Sequence, residues 1–420
     1  MLHWSRLEKG LLSTRWRADI GPVVCVSHLF PSSGQPTAGT FVADQTKALV
    51  EQGVDVRVVC PIPMVPFVLS HIKPKWAEYY HTPRATVLNG VRTTYARWPC
   101  LPFSWAFADS GRLLADALLA DRSVYGELIQ ASLLHGHTLV PDGDCVRRLA
   151  VKLGLRYIVT VHGSDLVSYP FRDRRTFLTS KRVMDDAAEV IFVSQYLADF
   201  AVSHFATDLG RVVVIGNGFD PKVFYPRESP RDNSLHFLYV GHLMRAKGVL
   251  DLVQAIQQLR TNEPELFKRA DFTLVGEGSD RSSVEAAIVA AHLEGSVHLL
   301  GGVPHKEVAD RMRSSDFLVL PSWSEGLPTV IPEALACGLP IVATTVGGIP
   351  EVVHAANGYL VAPKQPAELA RAFAQAAKRE WDRDAIAGLA RSYAWSLMAA
   401  RINDVYRNHG VTDLENDGDL

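Results

Sequence analysis

The sequence has few cysteines and no excess of charge of either sign. Its five cysteines are an odd number and none lies in a CxxC pair, so we expect neither a structural zinc site nor a disulfide framework, and we predict a reducing compartment. Lysine and arginine total 43 against 45 aspartate and glutamate, which gives a net charge of −2. Proteins whose main function is to bind nucleic acid usually carry a strong excess of basic residues. We therefore expect no nucleic-acid partner.

Long apolar runs and a targeting segment are also missing. No stretch reaches the roughly 18 uninterrupted apolar residues of a membrane-spanning helix. Residues 1–18 mix Arg6, Lys9, Arg15 and Arg17 with apolar residues and lack the apolar centre of a signal peptide. We therefore predict a cytoplasmic protein, and these observations are compatible with association with the inner face of the cell membrane.

Short apolar runs alternate with amphipathic segments along most of the 420 residues. Runs such as Val23–Val26 and 157–161 are apolar throughout, which is typical of parallel strands that helices cover on both faces. A stretch around 216–236 is rich in proline and charge, and the alternation restarts after it. The pattern predicts an α/β fold with two doubly wound, Rossmann-like domains facing a central cleft.

Changes in composition also mark the expected domain boundaries. We predict an N-terminal extension (1–20), a first Rossmann-like domain (21–215), a linker (216–234), a second Rossmann-like domain (235–390), a C-terminal helix that returns to the first domain (391–410) and an acidic tail (411–420).

Two glutamates flank a turn rich in glycine and proline. Glu325 and Glu333 have seven residues between them and follow the predicted strand Phe317–Leu320. Open α/β sheets bind ligands beyond the carboxyl ends of their strands, and a helix that starts near Pro332 would offer free N–H groups to a diphosphate. Carboxylates beside it would suit sugar hydroxyls. The same pattern also fits a solvated Glu325 and a Glu333 that only stabilises the helix dipole.

Cationic and glycine-rich loops end other predicted strands. His242, Arg245 and Lys247 follow a strand and could neutralise a diphosphate leaving group without a metal, although ordinary surface charge fits equally well. Gly276 begins an isolated GxG. Since Arg281 stands in place of the third glycine, the dinucleotide fingerprint is incomplete.

The first half of the chain has its own polar strand ends. Gly39 and Thr40 close the loop after the first strand, and His135, His137 and His162 end two further strands. A single loop histidine is commonly structural. Three histidines at the ends of parallel strands are expected to converge on one edge of the sheet.

In their order along the chain, these motifs resemble those of the retaining glycosyltransferases of family 4, which have the GT-B fold. The resemblance covers roughly residues 21–405 and includes HGHTLVPDG, VTVHGSDL, VGHLMRAKGVLDLV and SEGLPTVIPEALACGLP. The N-terminal sequence is similar to the sequences of a subgroup that includes teichuronic-acid-type polysaccharide glycosyltransferases. The resemblance implies a hexosyltransferase that moves a sugar from a nucleotide-diphosphate sugar to a hydroxyl of a glycan or lipid-linked acceptor, with retention, in cell-surface polysaccharide biosynthesis. A UDP-sugar is favoured over a GDP-sugar, and no cofactor or metal is expected.

The resemblance also implies a role for each residue that matches the family motifs. Glu325 would contact donor-sugar hydroxyls, Lys247 would neutralise the diphosphate, and His162 would lie near the transferred sugar. Glu333 would hold the ribose. The other donor-binding positions are Gly326, Leu327, Thr329, His242, Arg245, Val303 and Gly276, and Gly39, Thr40 and Asp165 would border the diphosphate and acceptor.

This chain departs from the family pattern at His242, where arginine is common, so either His242 or Arg245 would have to replace that arginine. No metal-binding DxD pair is evident, and Asp165 and Asp142 are the candidates for an inverting base. A nucleotide-sugar 2-epimerase of the same fold and a non-catalytic nucleotide-sugar-binding partner subunit remain as alternatives.

Residues 61–112 combine aromatic side chains with six basic residues against two acidic ones. Basic residues mixed with tryptophan and tyrosine suit an anionic membrane surface. The segment therefore predicts peripheral docking beside a lipid-linked acceptor, unless its aromatic side chains pack on their own sheet. These side chains include Trp76, Tyr79, Tyr80, Trp98, Phe103, Trp105 and Phe107.

Overall fold

The computed structural model describes residues 20–100, 104–226 and 234–410. Most of the expected N-terminal extension, Pro230 of the linker and the expected acidic tail lie outside these residues. The described chain builds an eight-stranded and a six-stranded sheet, each with helices on both faces. The prediction of two α/β domains with parallel sheets is confirmed, and we call them the first and second domain.

The first domain contains the eight-stranded sheet, in the order β3-β4-β2-β1-β5-β6-β7-β8. Its strands are β1 (Val23–Val26), β2 (Val56–Pro63), β3 (Ala85–Leu88), β4 (Val91–Trp98), β5 (Leu133–His137), β6 (Arg156–Val161), β7 (Glu189–Phe192) and β8 (Val212–Val214). All neighbours are parallel except β3, which pairs antiparallel with β4 at the sheet edge. Every residue of the central strand β1 is fully buried, because helices cover both faces.

The helices of the first domain are α1 (Thr40–Glu51), α2 (Phe67–Ser70), α3 (Pro74–His81), α4 (Ser110–Ala120), α5 (Arg122–Leu128), α6 (Asp144–Leu153), α7 (Ser164–Val167), α8 (Arg174–Asp186) and α9 (Gln195–Phe205). Several begin with an aspartate or serine whose side chain accepts a hydrogen bond from the first turn, as Asp173 does from the N–H of Thr176. Such caps satisfy N–H groups that the helix leaves unpaired.

The second domain contains the six-stranded parallel sheet, in the order β11-β10-β9-β12-β13-β14. Its strands are β9 (Leu235–Val240), β10 (Ala270–Val275), β11 (Val297–Gly301), β12 (Phe317–Leu320), β13 (Ile341–Thr344) and β14 (Gly358–Val361). Its helices are α10 (Val249–Asn262), α11 (Pro264–Phe267), α12 (Arg281–Ala290), α13 (His305–Ser314), α14 (Val330–Ala336), α15 (Ile349–Val352), α16 (Pro366–Lys378) and α17 (Arg383–Ala390).

The last helix, α18 (Trp395–His409), packs against α1 of the first domain. Trp395, Met398 and Tyr406 belong to the same buried apolar cluster as Cys25 and Leu49. Burial of these large side chains contributes roughly 1.5–3 kcal/mol each, so the C-terminal end of the chain is fixed to the first domain.

Direct hydrogen bonds also join the two domains. The side-chain amide of Asn217 donates to the carbonyl of Leu327. The carboxylate of Glu351 accepts from the N–H groups of Gln195 and Tyr196 at 2.9 and 2.7 Å, where it also complements the positive end of α9. In the described ranges, no helix combines the length and apolarity needed to cross a bilayer.

Candidate active site

Lys247 and Glu325 form an ion pair at the edge of the second sheet. Lys247 ends a short turn between β9 and α10, and Glu325 lies in the loop between β12 and α14. The Nζ of Lys247 is 2.8 Å from both carboxylate oxygens, and the hydroxyl of Ser322 donates to Oε1. The fold thus brings together two of the predicted catalytic residues, from loops that follow neighbouring strands.

The loop that carries Glu325 meets the first domain backbone to backbone. A Cβ on Gly326 would lie 2.1 Å from the carbonyl oxygen of His162. Gly163 has a φ of 140°, and a Cβ there would lie 3.0 Å from the nitrogen of Gly326. Only glycine at position 326 permits this approach, so predicted donor-binding and sugar-binding loops lie in direct contact across the cleft.

Glu333 is buried on α14 and contacts a histidine that sequence reasoning missed. Its Oε1 is 2.8 Å from Nε2 of His305, the first residue of α13. The Nδ1 of His305 is 3.9 Å from Asp44 on α1 of the first domain. Burial raises the pKa of the Asp44 carboxyl to about 6. Burial alone would lower the pKa of His305, but its hydrogen bond to Glu333 and the nearby negative charges outweigh that effect and raise it.

Three histidines form a cluster that includes His162, the residue in contact with Gly326; His135 and His137 are fully buried and His162 is half-buried. His135 bonds to the Tyr406 hydroxyl at 2.8 Å and to the Thr160 hydroxyl at 2.7 Å, while Nδ1 of His137 is 3.1 Å from Nε2 of His162. Burial lowers the pKa values of His135 and His162 to about 3 and that of His137 well below its usual value. All three rings are therefore neutral. His135 lies within β5 and not beyond its end, unlike the sequence expectation.

The cluster includes a group of potential metal ligands. Ligand atoms of Cys25, His135 and His137 lie within 4.8 Å of one another. However, both ring nitrogens of His135 already hold hydroxyl partners. Burial also raises the pKa of Cys25 far above its usual value, so the thiol is neutral. The arrangement suits a hydrogen-bonded polar core better than a cation site.

Both aspartates considered as inverting bases are buried and already hydrogen-bonded to other groups of the protein. Asp165 accepts hydrogen bonds from the backbone N–H groups of His162, Gly163 and Leu139. Asp142 lies 2.8 Å from Nδ1 of His28. Asp165 therefore holds the backbone around His162, and its burial raises its pKa to about 6.

The remaining predicted donor residues lie around the same edge. Gly276 follows β10, Leu327 is buried, Thr329 precedes α14, and Val303 is half-buried just before His305. In the first domain, Gly39 and Thr40 open α1. None of these positions is remote from the carboxyl ends of the strands.

The two candidates for the family's arginine differ in their surroundings. His242 is exposed, and its carbonyl oxygen accepts a hydrogen bond from the hydroxyl of Tyr239. The guanidinium carbon of Arg245 lies 5.6 Å from the centre of the Trp323 ring. The structure thus pairs Arg245 with an aromatic face, while Lys247 is the cation in contact with Glu325.

The aromatic segment divides between core and surface. Tyr79 and Trp98 are buried, and Trp76 and Tyr80 are half-buried, so Tyr79 and Trp98 pack internally. Phe103 and the Trp105 side chain lie outside the described residues. The large apolar side chains that this segment exposes lie mostly around α2, where Met64, Phe67, Val68, Leu69 and Ile72 form what we call the exposed apolar patch; Val87 on β3 is also exposed.

Comparisons with known proteins assign both domains to glycosyltransferase families. The model of Glycosyltransferase Family 4 matches residues 38–223, and the model of Glycosyl transferases group 1 matches residues 224–392. The chain is 29% identical, over 83% of its length and 87% of the relative, to a protein provisionally described as the teichuronic acid biosynthesis glycosyltransferase TuaC of Bacillus subtilis (strain 168). It is 25% identical to N-acetyl-alpha-D-glucosaminyl L-malate synthase of Bacillus anthracis, over 79% of this chain and 81% of that protein.

Solved structures share the fold over nearly the whole chain. Sucrose-phosphate synthase from Thermosynechococcus elongatus superposes with a TM-score of 0.72 at 21% identity, covering 92% of this chain and 98% of that one. Anabaena HepE in complex with UDP-glucose superposes with a TM-score of 0.68 at 18% identity, covering 92% and 100%. The two family models together span both domains, and the chain belongs to glycosyltransferase family 4, with the GT-B fold.

Proposed function

We propose that this glycosyltransferase moves a hexosyl residue from a nucleotide-diphosphate sugar to a hydroxyl of a glycan or lipid-linked acceptor, in cell-surface polysaccharide biosynthesis. The observation that carries the proposal is the pair of Lys247 and Glu325 beside the backbone contact of Gly326 with His162. A cation for a diphosphate and a carboxylate for sugar hydroxyls lie side by side in the cleft.

The donor is proposed to be a UDP-sugar. HepE, which shares the fold, was solved with UDP-glucose. In this chain, Glu333 lies on the first turns of α14 and would accept hydrogen bonds from the ribose hydroxyls, with His305 fixing its carboxylate. We further propose that Lys247 neutralises the diphosphate and that binding therefore needs no metal ion.

The proposed reaction retains the anomeric configuration. The acceptor oxygen forms a bond to the anomeric carbon on the face from which the diphosphate oxygen departs, and that leaving oxygen takes the acceptor proton. This path depends on stabilising negative charge on the leaving group more than on a side-chain base. Asp165 and Asp142 already accept other hydrogen bonds, and the neutral His162 suits hydrogen bonding to the sugar.

We also propose that the protein is cytoplasmic and lies against the inner face of the cell membrane. Met64, Phe67, Val68 and Ile72 expose more than half of their surface around α2. Lysines 73 and 75 follow directly and are exposed. An apolar patch beside basic residues binds anionic lipid surfaces through both hydrophobic burial and charge.

A donor screen followed by product analysis tests this function. The purified chain is heated with UDP-, GDP- and ADP-sugars in the presence of EDTA, and a donor that binds the folded state raises the melting temperature. The product formed with the identified donor is then assigned by proton NMR. An α-linked product from an α-linked donor supports retention. A β-linked product contradicts retention, and free sugar formed without any acceptor indicates epimerase chemistry.

A further inference from the structure

A cavity of about 480 Å³ opens in the first domain, outside the donor site. Residues at the carboxyl ends of β1, β2 and β4 and in the segment before α4 form its walls. Most lining side chains are aromatic or aliphatic, and they include Phe30, Ile62, Tyr79, Trp98, Phe107 and Leu113. A mainly apolar cavity at this edge of the sheet would favour a hydrocarbon over a sugar, because sugar hydroxyls would lose hydrogen bonds to water there.

The charged groups in the lining are of one sign. Arg172 and His28 line the cavity, and no aspartate or glutamate is found among the described residues of its lining. The guanidinium carbon of Arg172 lies 4.2 Å from the ring centre of Tyr169 and 5.2 Å from that of Phe107. These rings hold the guanidinium at the cavity wall, where a phosphate group would pair with it.

Hydrogen bonds link one wall of the cavity to the loop that carries His162. His28 in the wall is hydrogen-bonded to the buried Asp142. The same loop, after β5, contains Leu139, whose N–H donates to Asp165. Asp165 in turn binds the N–H of His162. Two hydrogen-bonded carboxylates therefore connect the cavity wall with the predicted sugar-binding loop.

The cavity adjoins the exposed apolar patch at Pro63. Pro63 lines the cavity, and the next residue, Met64, begins the patch that continues to Ile72. Tyr79 on α3 lines the same side. Residues 64–72 contain no lysine, arginine, aspartate or glutamate, so an apolar chain that left the cavity along α2 would meet no such side chain in this segment.

We propose that this cavity binds the hydrocarbon chain of a lipid-linked acceptor, with Arg172 contacting the phosphate that joins chain and sugar. The inference rests on the proposed transferase function and names its acceptor class, an amphiphile with a phosphate next to an apolar chain. The chain continues along α2 towards the membrane, and the acceptor sugar extends towards His162.

Cys100 provides a reporter for occupancy of the cavity. It lines the cavity, and it alone of the five cysteines is exposed. Alkylation of Cys100 by a maleimide is measured on the full chain without donor, in the presence of farnesyl phosphate, farnesol or inorganic phosphate. Cys100→Ser gives the background. We expect farnesyl phosphate to slow alkylation about tenfold, farnesol to slow it less, and inorganic phosphate to leave it unchanged.

Two arginine variants distinguish specific binding of farnesyl phosphate in the cavity from its nonspecific adsorption to the exposed apolar patch. Arg172→Ala should make farnesyl phosphate no more protective than farnesol, whereas Arg174→Ala, an exposed arginine outside the cavity lining, should leave the protection unchanged. Absence of protection by farnesyl phosphate overturns the proposal. Equal protection by farnesol and farnesyl phosphate in the unmodified chain overturns the role of Arg172.

Transfer assays distinguish failure of this inference from failure of the proposed function. With an active donor, a polyprenyl-phosphate-linked acceptor should be used at lower concentration than the same glycan without lipid, and Arg172→Ala should reduce that preference. Equal use of both acceptors overturns the inference and leaves transferase function intact. Protection of Cys100 without transfer to either acceptor supports the lipid site and contradicts the transferase proposal.

Discussion

Nδ1 of His137 lies 3.1 Å from Nε2 of His162, and the two rings are stacked with their centres 5.3 Å apart. Because burial keeps both rings neutral, one of these nitrogens donates and the other accepts. The ring of His137 also contacts His135, which is hydrogen-bonded to Tyr406 on α18. The position of the predicted sugar-binding histidine thus depends on a polar core that reaches the C-terminal helix.

This cluster predicts a loss of stability in acid. The unfolded chain binds a proton on each histidine below about pH 6.5, whereas burial lowers the folded pKa values of His135 and His162 to about 3. The unfolded state therefore binds more protons between these values, and the free energy of unfolding falls by up to about 1.4 kcal/mol per pH unit for each histidine. Asp44 and Asp165 have the opposite effect, because burial raises their pKa values to about 6. Between about pH 6 and pH 4 the folded state binds more protons at these carboxyls than the unfolded state does, so acidification increases their contribution to the free energy of unfolding.

The contribution of one histidine is isolated by substitution. His137→Gln should melt at a lower temperature than the unmodified chain at pH 7.5, yet lose less stability on acidification to pH 5. Thermal unfolding at several pH values measures the difference, and the exposed His81→Gln serves as the control. An equal acid-induced decrease in all three proteins would show that His137 does not stay neutral in the fold.

Replacement of Lys247 should affect turnover more than nucleotide binding. Negative charge on the leaving diphosphate grows as the bond breaks, and loss of the cation removes stabilisation of that charge. We expect Lys247→Ala to lower kcat by about 100- to 1000-fold, with a smaller change in the Kd for the nucleotide. Steady-state kinetics and calorimetry measure the two quantities, with the exposed Lys152→Ala as control. A parallel loss in both would contradict the role in leaving-group stabilisation.

Glu325→Ala should abolish transfer while the fold stays intact. The substitution removes the carboxylate that holds Lys247 and that we expect to contact the donor sugar. Circular dichroism and melting temperature report the fold, and product formation reports activity. Near-normal turnover would remove Glu325 from the reaction site.

His305 should control the affinity for the ribose. The carboxylate of Glu333 is fixed by its 2.8 Å contact with His305, and truncation would leave it free to rotate. We expect His305→Ala to raise the KM for the donor several-fold with little change in kcat. A 2′,3′-dideoxy analogue of the nucleotide should bind the unmodified chain and the variant equally well. If the variant still discriminated in favour of the natural nucleotide, His305 would not act through Glu333.

The local pattern of apolar residues was sufficient to predict much of the fold. Strands such as β1 and β12 are apolar on both faces because helices cover the sheet, and an uninterrupted apolar run is visible without any tertiary information. Sequence analysis missed β3, β4, β11 and β14. Most residues of β3 are exposed, while β4 contains the buried polar residues Thr93 and Thr94, so neither shows the pattern of a buried parallel strand.

The candidate site could be predicted only where its residues are local. Glu325 lies in the loop before α14 and Glu333 lies on α14, so their spacing can be recognised in the sequence. His305 lies 28 residues from Glu333 and meets Asp44 only when the two domains are packed together. The direction of Arg245 likewise depends on Trp323, a residue of another loop. These contacts arise from packing and leave no periodic signal.

The backbone contact between Gly326 and His162 predicts that even one methyl group there will impair catalysis. A Cβ at position 326 would lie 2.1 Å from the carbonyl oxygen of His162, so the two domains would have to separate at this point. Misplacement of reacting groups by about 1 Å can reduce rates by about 100-fold. We expect Gly326→Ala to lower kcat/KM by at least that factor, with little change in melting temperature because the clash lies between domains.

Gly388→Ala provides the matched control, since a Cβ at this position on α17 would meet no atom within 4 Å. It should keep full activity and gain up to about 1 kcal/mol of stability, because alanine has a higher helix propensity than glycine. If Gly326→Ala retained kcat/KM within twofold while Gly388→Ala behaved as expected, the domains would have to react in a more open arrangement. The contact between Gly326 and His162 would then belong to a resting state of the enzyme.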